Sequence, residues 1–116
     1  MKIAINKSNG GFILSPLAEK LIAERKGESI TFRDIFTDKE VSFEKAQKSG
    51  ALRTYSNFRE IDRNDPDLIA VIEEIGRKAN TSVSDIQVVE IPDGVEWVIE
   101  EYDGVEWVSE KHRTWR

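Results

Sequence analysis

Arg53-Thr54-Tyr55-Ser56-Asn57-Phe58-Arg59 interleaves planar cations with aromatic rings. On an extended backbone Arg53, Tyr55, Asn57 and Arg59 fall on one face, because successive side chains of a strand point to opposite sides. The closing run Lys111-His112-Arg113-Thr114-Trp115-Arg116 places Arg113 and Trp115 side by side by the same alternation. A guanidinium is a planar fork that grips phosphate with two bonds, and an indole or phenol ring is a stacking face for a base. Together the two stretches can hold a small nucleotide. Arg113 would grip a phosphate and Trp115 would wall in the base. Arg53, Tyr55 and Arg59 would form the second side of the pocket, within one subunit or across an interface. A competing arrangement packs Trp115 on the core and pairs the arginines with some of the 22 acidic side chains.

Other chemistry finds less support. With no cysteine, disulfides, thiolate metal sites and thiol catalysis are excluded together. His112 is the single histidine and no Gly-x-Ser-x-Gly context accompanies it. Glu100, Glu101, Asp103 and Glu106 gather oxygens around one turn, but no Asp-x-Asp-x-Asp-Gly series is present. A solvated hairpin tip is therefore expected there rather than a cation site. Ser8-Asn9-Gly10-Gly11 precedes a helix start but lacks the Lys-Ser/Thr of a phosphate loop, and reads as a turn. The expectation is a non-enzymatic protein without metal or cofactor.

The elements that must carry these groups follow from pattern. The chain has 116 residues, 39% hydrophobic and 34% charged, and reads as one α+β domain spanning 1–116. Lys2 to Asn6 alternates as a strand, and Phe12 to Leu14 is expected to return as a second. Ser15-Pro16 and Asp65-Pro66 each combine a capping side chain with proline at the first helical position, predicting helices over Pro16–Lys26 and Pro66–Ala79. On the second, Glu73/Arg77 and Glu74/Lys78 have i,i+4 spacing, and Asn80 is the expected left-handed stop. Ile30 to Phe36, Val41 to Phe43, Arg53 to Asp62 and Ile86 to Ile91 read as extended. Lys45 to Gly50, polar and weakly patterned, is the expected mobile loop.

Asp93-Gly-Val-Glu-Trp-Val-Ile-Glu100 recurs as Asp103-Gly-Val-Glu-Trp-Val-Ser-Glu110, with Asp103-Gly104 between two β-rich runs, the signature of a type I′ hairpin. Pairing Tyr102 with Val105 sets Ile99 opposite Val108. Trp97, Ile99 and Val108 then share one face, and Tyr102, Val105 and Trp107 the other. Aromatic bulk on both faces predicts that the hairpin packs twice, and hence a homo-oligomer. The two helices are expected to pack on a mainly antiparallel sheet that includes this hairpin. Net charge is −5, and Asp85 to Glu110 holds acidic residues but no Lys or Arg, which argues against general nucleic-acid binding. No apolar run is long enough to span a bilayer, and the start is too short and alternating for a signal peptide, so an intracellular location is expected.

Lys2-Ile-Ala-Ile-Asn-Lys7, Gly10-Gly-Phe12, Asp65-Pro-Asp-Leu-Ile69, Glu90-Ile-Pro-Asp93 and Glu100-Glu-Tyr-Asp-Gly104 occur in order, followed by Glu106-Trp-Val-Ser-Glu-Lys-His-Arg-Thr-Trp115. This pattern resembles a group of small bacteriophage proteins, and through it the sponge-type Thoeris anti-defence family. Such phage proteins bind a cyclic ADP-ribose signal made by host TIR-domain enzymes and hold it without degrading it. The resemblance implies an α+β oligomer in the host cytoplasm with ligand sites between subunits. It assigns no individual contact residue. The alternative is an acidic protein-binding inhibitor of a host defence protein, acting through the carboxylates between Asp85 and Glu110.

Overall fold

The computed structural model describes residues 1–50 and 53–110 and has an α+β architecture. Strand β1 (Lys2–Asn6) pairs antiparallel with β5 (Ile86–Glu90), setting Ala4 opposite Val88. Helix α1 (Pro16–Lys26) starts where expected: Ser15 Oγ accepts the Ala18 amide at 3.1 Å and donates to Lys78 O at 2.6 Å. Helix α3 (Pro66–Ile75) is capped by Asp65, which accepts the Asp67 and Leu68 amides. Ala4, Ala18, Ile22, Leu68, Val71 and Ile72 form the centre of one buried cluster, where apolar burial supplies most of the favourable free energy. The basic end of α1 meets the acidic start of α3, with Lys26 Nζ 2.8 Å from Asp65 and 2.9 Å from Asp67. Each charge thereby complements its own helix dipole as well as its partner.

The expected long second helix divides. At Gly76 the backbone turns to φ 56°, ψ −125°, and residues Gly76–Ala79 continue as a 3₁₀ turn. The i,i+4 geometry anticipated for Glu73/Arg77 is lost with it, and Glu73 instead pairs with Lys2 at 2.7 Å. Asn80 is extended rather than left-handed, and its side chain accepts the Ile86 amide at 2.7 Å. Phe12 to Leu14 forms no strand; only Leu14 bridges to Asn80.

A second layer comprises β2 (Phe32–Asp34), β3 (Glu40–Val41) and β4 (Thr54–Ser56), in the antiparallel order β3-β2-β4. Between β3 and β4 lies a third helix, α2 (Phe43–Ser49), which replaces the loop expected over Lys45–Gly50. Ser42 caps it by accepting the Lys45 amide at 3.1 Å, and so is not part of a strand. The helix is amphipathic in one residue only, Ala46, which explains why periodicity misses it.

The C-terminal hairpin, β6 (Trp97–Tyr102) and β7 (Val105–Glu110), has the expected register, with Tyr102 opposite Val105 and Ile99 opposite Val108. Asp103 and Gly104 take φ of 52° and 87°, as a type I′ turn requires. A Cβ on Gly104 would lie 2.2 Å from Asn9 O, so the turn also needs glycine to lie this close to the body. The hairpin does not extend the β1–β5 sheet, contrary to expectation; it forms a sheet of its own. The reason lies at the outer edge of β1. There Arg63 O accepts the Ala4 amide, the Arg63 guanidinium reaches Ala4 O, and the Glu106 carboxylate accepts the Asn6 amide at 2.8 Å. Side chains and one carbonyl satisfy that edge, so no ladder to β7 is needed.

Candidate functional site

Two adjoining cavities open beside α1, of about 360 and 230 Å3. Their walls share four residues: Ile13, Leu14, Glu19 and Phe58. Three of these are apolar, which leaves the Glu19 carboxyl as the polar group common to both. Glu19 lies four residues after Ser15 and three before Ile22, and therefore on the buried stripe of α1. Its side-chain partner among the described residues is Ser56 on β4, whose hydroxyl donates to Glu19 Oε1 at 2.9 Å. Ser56 Oγ in turn accepts the Phe58 amide at 3.1 Å, which turns the chain out of β4 and sets the Phe58 ring between the cavities. Burial pushes the Glu19 carboxyl up to about 7, and the Ser56 bond offsets only part of that rise. In its protonated form this group both donates and accepts, which an ionised carboxylate cannot do.

Of the residues expected to bind ligand, two reach this place. Tyr55 lines the smaller cavity and Arg59 the larger. Tyr55 is exposed and its hydroxyl bonds Asp38; that bond, with partial burial and the Asp38 charge, holds the phenol above its usual range. Arg59 is exposed and holds Glu28 at 2.9 Å. Arg53 is not in the walls; its guanidinium sits 5.0 Å from the Phe36 ring centroid, at the β2–β3 turn. The single extended face foreseen for Arg53, Tyr55, Asn57 and Arg59 does not form, because β4 stops at Ser56. Asn57 turns back to accept the Thr31 amide at 2.8 Å. Arg113, Trp115 and His112 lie outside the described residues.

Sequence reasoning gave no role to Glu19, Phe58 or Arg63, and read Glu106 as part of a solvated tip. The last two build the seam between hairpin and body. Arg63 grips Glu106 with two bonds, of 2.7 and 3.0 Å, and its guanidinium lies 3.7 Å from the Phe12 ring centroid. For Glu106, burial is the largest single influence and pushes its carboxyl up. The Arg63 bonds, the Asn6 amide and the Arg63 charge together outweigh it, and the net effect is a lowered pKa. Glu106 is 8% exposed and does not belong to a solvated tip as expected. Around the same turn Glu101 accepts the Gly104 amide and Asp103 accepts from Asn9, while the exposed Glu100 on the outer face accepts from the Ser109 hydroxyl. Among the described residues no three His, Cys, Asp or Glu side chains are placed to hold a metal ion. No helix there is long and apolar enough to cross a membrane.

Ser8-Asn9-Gly10-Gly11 is a packing turn. Ser8 Oγ donates to Val83 O at 2.7 Å, and a Cβ on Gly10 would lie 1.8 Å from that same oxygen. Comparisons with protein-family models, curated proteins and solved structures give no match to this chain.

Proposed function

We propose that this chain binds and sequesters a small nucleotide-like anion, of the cyclic ADP-ribose type, as a phage anti-defence protein that holds the signal without degrading it. The observation that carries the reading is the cleft: Tyr55 and Arg59 line adjoining cavities whose shared walls are Phe58, Ile13, Leu14 and Glu19. The ligand class comes from the sequence resemblance. In this arrangement the base lies in the apolar cavity against Phe58 and meets the Glu19 carboxyl with its polar edge. A phosphate sits at the mouth, taken by Arg59 in exchange for Glu28. That exposed ion pair is weak enough to exchange. Arg113 and Trp115, which lie outside the described residues, are proposed as further ligand contacts, while Arg53 stands apart from the cavity walls. A homo-oligomer in the host cytoplasm, joined through the exposed Val98, Tyr102 and Trp107 of the outer hairpin face, accompanies this reading.

Calorimetry with cyclic ADP-ribose as the probe tests it. Arg113→Ala is expected to weaken binding ~30-fold or more, as loss of a desolvated phosphate contact does, and Arg59→Ala less, by ~10-fold or below, because Arg59 is exposed. Mass spectrometry of the released probe should show it chemically unchanged. Unaltered affinity in folded Arg59→Ala, Phe58→Ala and Arg113→Ala would move the site elsewhere, and a cleaved probe would end the sequestration reading.

The rival reading is an acidic protein-binding inhibitor, favoured by the apolar outer face of the hairpin among outward carboxylates. Charge reversal of Glu100 and Glu96 separates the two, since ligand capture is indifferent to it and protein capture is not. Glu106 is unsuitable for that comparison because it supports the fold through Arg63.

A further inference from the structure

The inner side of the hairpin carries a further groove, which adjoins the larger ligand cavity through Glu60, Ile61 and Arg63. It lies between β6 and the irregular strap Glu60–Asn64 and encloses about 670 Å3, with Trp97, Ile99 and Ile61 as its apolar surface. The single cation in its lining, Arg63, is committed to Glu106 and Ala4 O. Its two carboxylates, Glu60 and Asp62, are exposed and have no side-chain partner among the described residues. The groove is therefore acidic as well as apolar.

Its rims are also bare of backbone pairing. Tyr102 and Val105 flank a two-residue turn and form a hydrogen-bonded pair, so Trp97, Ile99 and Glu101 direct their N–H and C=O groups away from β7. No strand pairs with that edge of β6 among the described residues. Across the groove, the amides of Arg59, Glu60, Ile61 and Asp62 likewise find no backbone acceptor there. An unpaired edge beside a shaped groove is the arrangement that accepts an added strand.

We propose that this groove is a strand-addition site for an extended, lysine- or arginine-bearing segment of a partner protein. This rests on the reading of the acidic hairpin as a protein-binding element and specifies which of its faces binds. The segment's main chain pairs with the outer edge of β6. The face of the segment turned into the groove carries its cations, whose heads meet Glu60 and Asp62 and whose stems cover Trp97 and Ile99, while its alternate apolar side chains lie on the opposite face, level with Val98. A second copy of this chain is a poorer occupant. Each copy carries a net charge of −5, and two β6 edges would bring together two strands that each hold Glu100 and Glu101.

Fluorescence anisotropy of the full chain with a labelled peptide, Lys-Val-Lys-Ile-Lys-Val-Lys, tests the proposal at low salt. Binding is expected, weakening as salt rises, and reduced ~10-fold or more in Asp62→Lys and in Trp97→Ala. The same peptide N-methylated at alternate amides keeps its charge but cannot pair as a strand, and should bind ~10-fold more weakly or worse. Equal binding of the N-methylated peptide, or of Asp62→Lys, would reduce the interaction to diffuse charge attraction and overturn the groove. Loss in Trp107→Ala with retention in Trp97→Ala would place the partner on the outer face, sparing the hairpin reading while ending this one. No binding by any form removes both. Binding that appears only when the chain is cut after Glu110 assigns the groove to the chain's own basic residues 111–116, and a doubled mass abolished by Trp97→Ala assigns it to a second copy.

Discussion

Glu19 and Glu106 are both carboxyls withdrawn from water, and the protein treats them in opposite ways. Glu19, between α1 and β4, is met by a single hydroxyl from Ser56, and its pKa rises to about 7. Glu106, between the hairpin and β1, is met by both terminal nitrogens of Arg63 and by the Asn6 amide, and its pKa falls. Burial acts upward on both. What differs is the number and charge of the donors waiting at the carboxyl. A carboxyl left under-supplied beside a cavity is available to something that is not yet there, whereas a fully supplied one is a structural joint.

The largest effect should come from breaking the joint. Glu106→Ala leaves Arg63 partly buried without its partner, and is expected to cost ~3–5 kcal/mol, measured by denaturant unfolding. Because the folded pKa of Glu106 lies below its usual value of 4.5, the contribution is fully present above that value and is lost as pH falls below it. Acid should therefore release the hairpin from the body, seen as a change in Trp97 and Trp107 fluorescence that Glu106→Ala no longer shows. A variant as stable as the parent at neutral pH would mean that the seam is held by other contacts.

Glu19 should respond with the opposite sign. Its folded pKa is raised from 4.5 to about 7, so the folded state holds the proton more tightly than the unfolded chain does. No cost exists below about 4.5; it grows between that value and about 7, and is complete above. Glu19→Gln removes it, and should stabilise the protein by on the order of 2 kcal/mol at pH 8 and by little at pH 4. Equal effects at both pH values would show that Glu19 is not titrating in this window.

The smallest change sharpens the contrast. Ser56→Ala removes the one donor to Glu19, and is expected to lift its midpoint further while costing ~1 kcal/mol or less, followed by NMR titration of the carboxyl carbon. A midpoint that falls would mean that a different group supplies Glu19.

Much of this architecture was legible without coordinates, and the legible parts share a cause. Ser15-Pro16 and Asp65-Pro66 start helices because cap and proline act within one turn of chain, and Asp103-Gly104 makes its turn through two local φ values. The hairpin register then follows from strand alternation alone. Glu106 falls on the face of Trp97 and Ile99 by that same alternation, yet it was expected at a solvated tip, because nothing local names Arg63 as its partner. Helix α2 escaped notice because a seven-residue polar helix with one buried alanine carries almost no period. The anticipated one-face array from Arg53 to Arg59 broke for a similar reason: Ser56 and Asn57 spend their side chains on the Phe58 and Thr31 amides, and the strand ends.

The sequence by itself determined the α+β class, the two capped helix starts, the type I′ hairpin with its two faces, and the acidic balance, all of which depend on residues near one another along the chain. Tertiary structure alone decided that Tyr55 and Arg59 share a cleft with Glu19, that Arg63 meets Glu106 across 43 positions, and that β6 keeps a bare edge beside Glu60 and Asp62. Those are long-range juxtapositions. Burial and charge partners acquire their strength only when distant segments exclude water together, and no local pattern encodes which segments those will be.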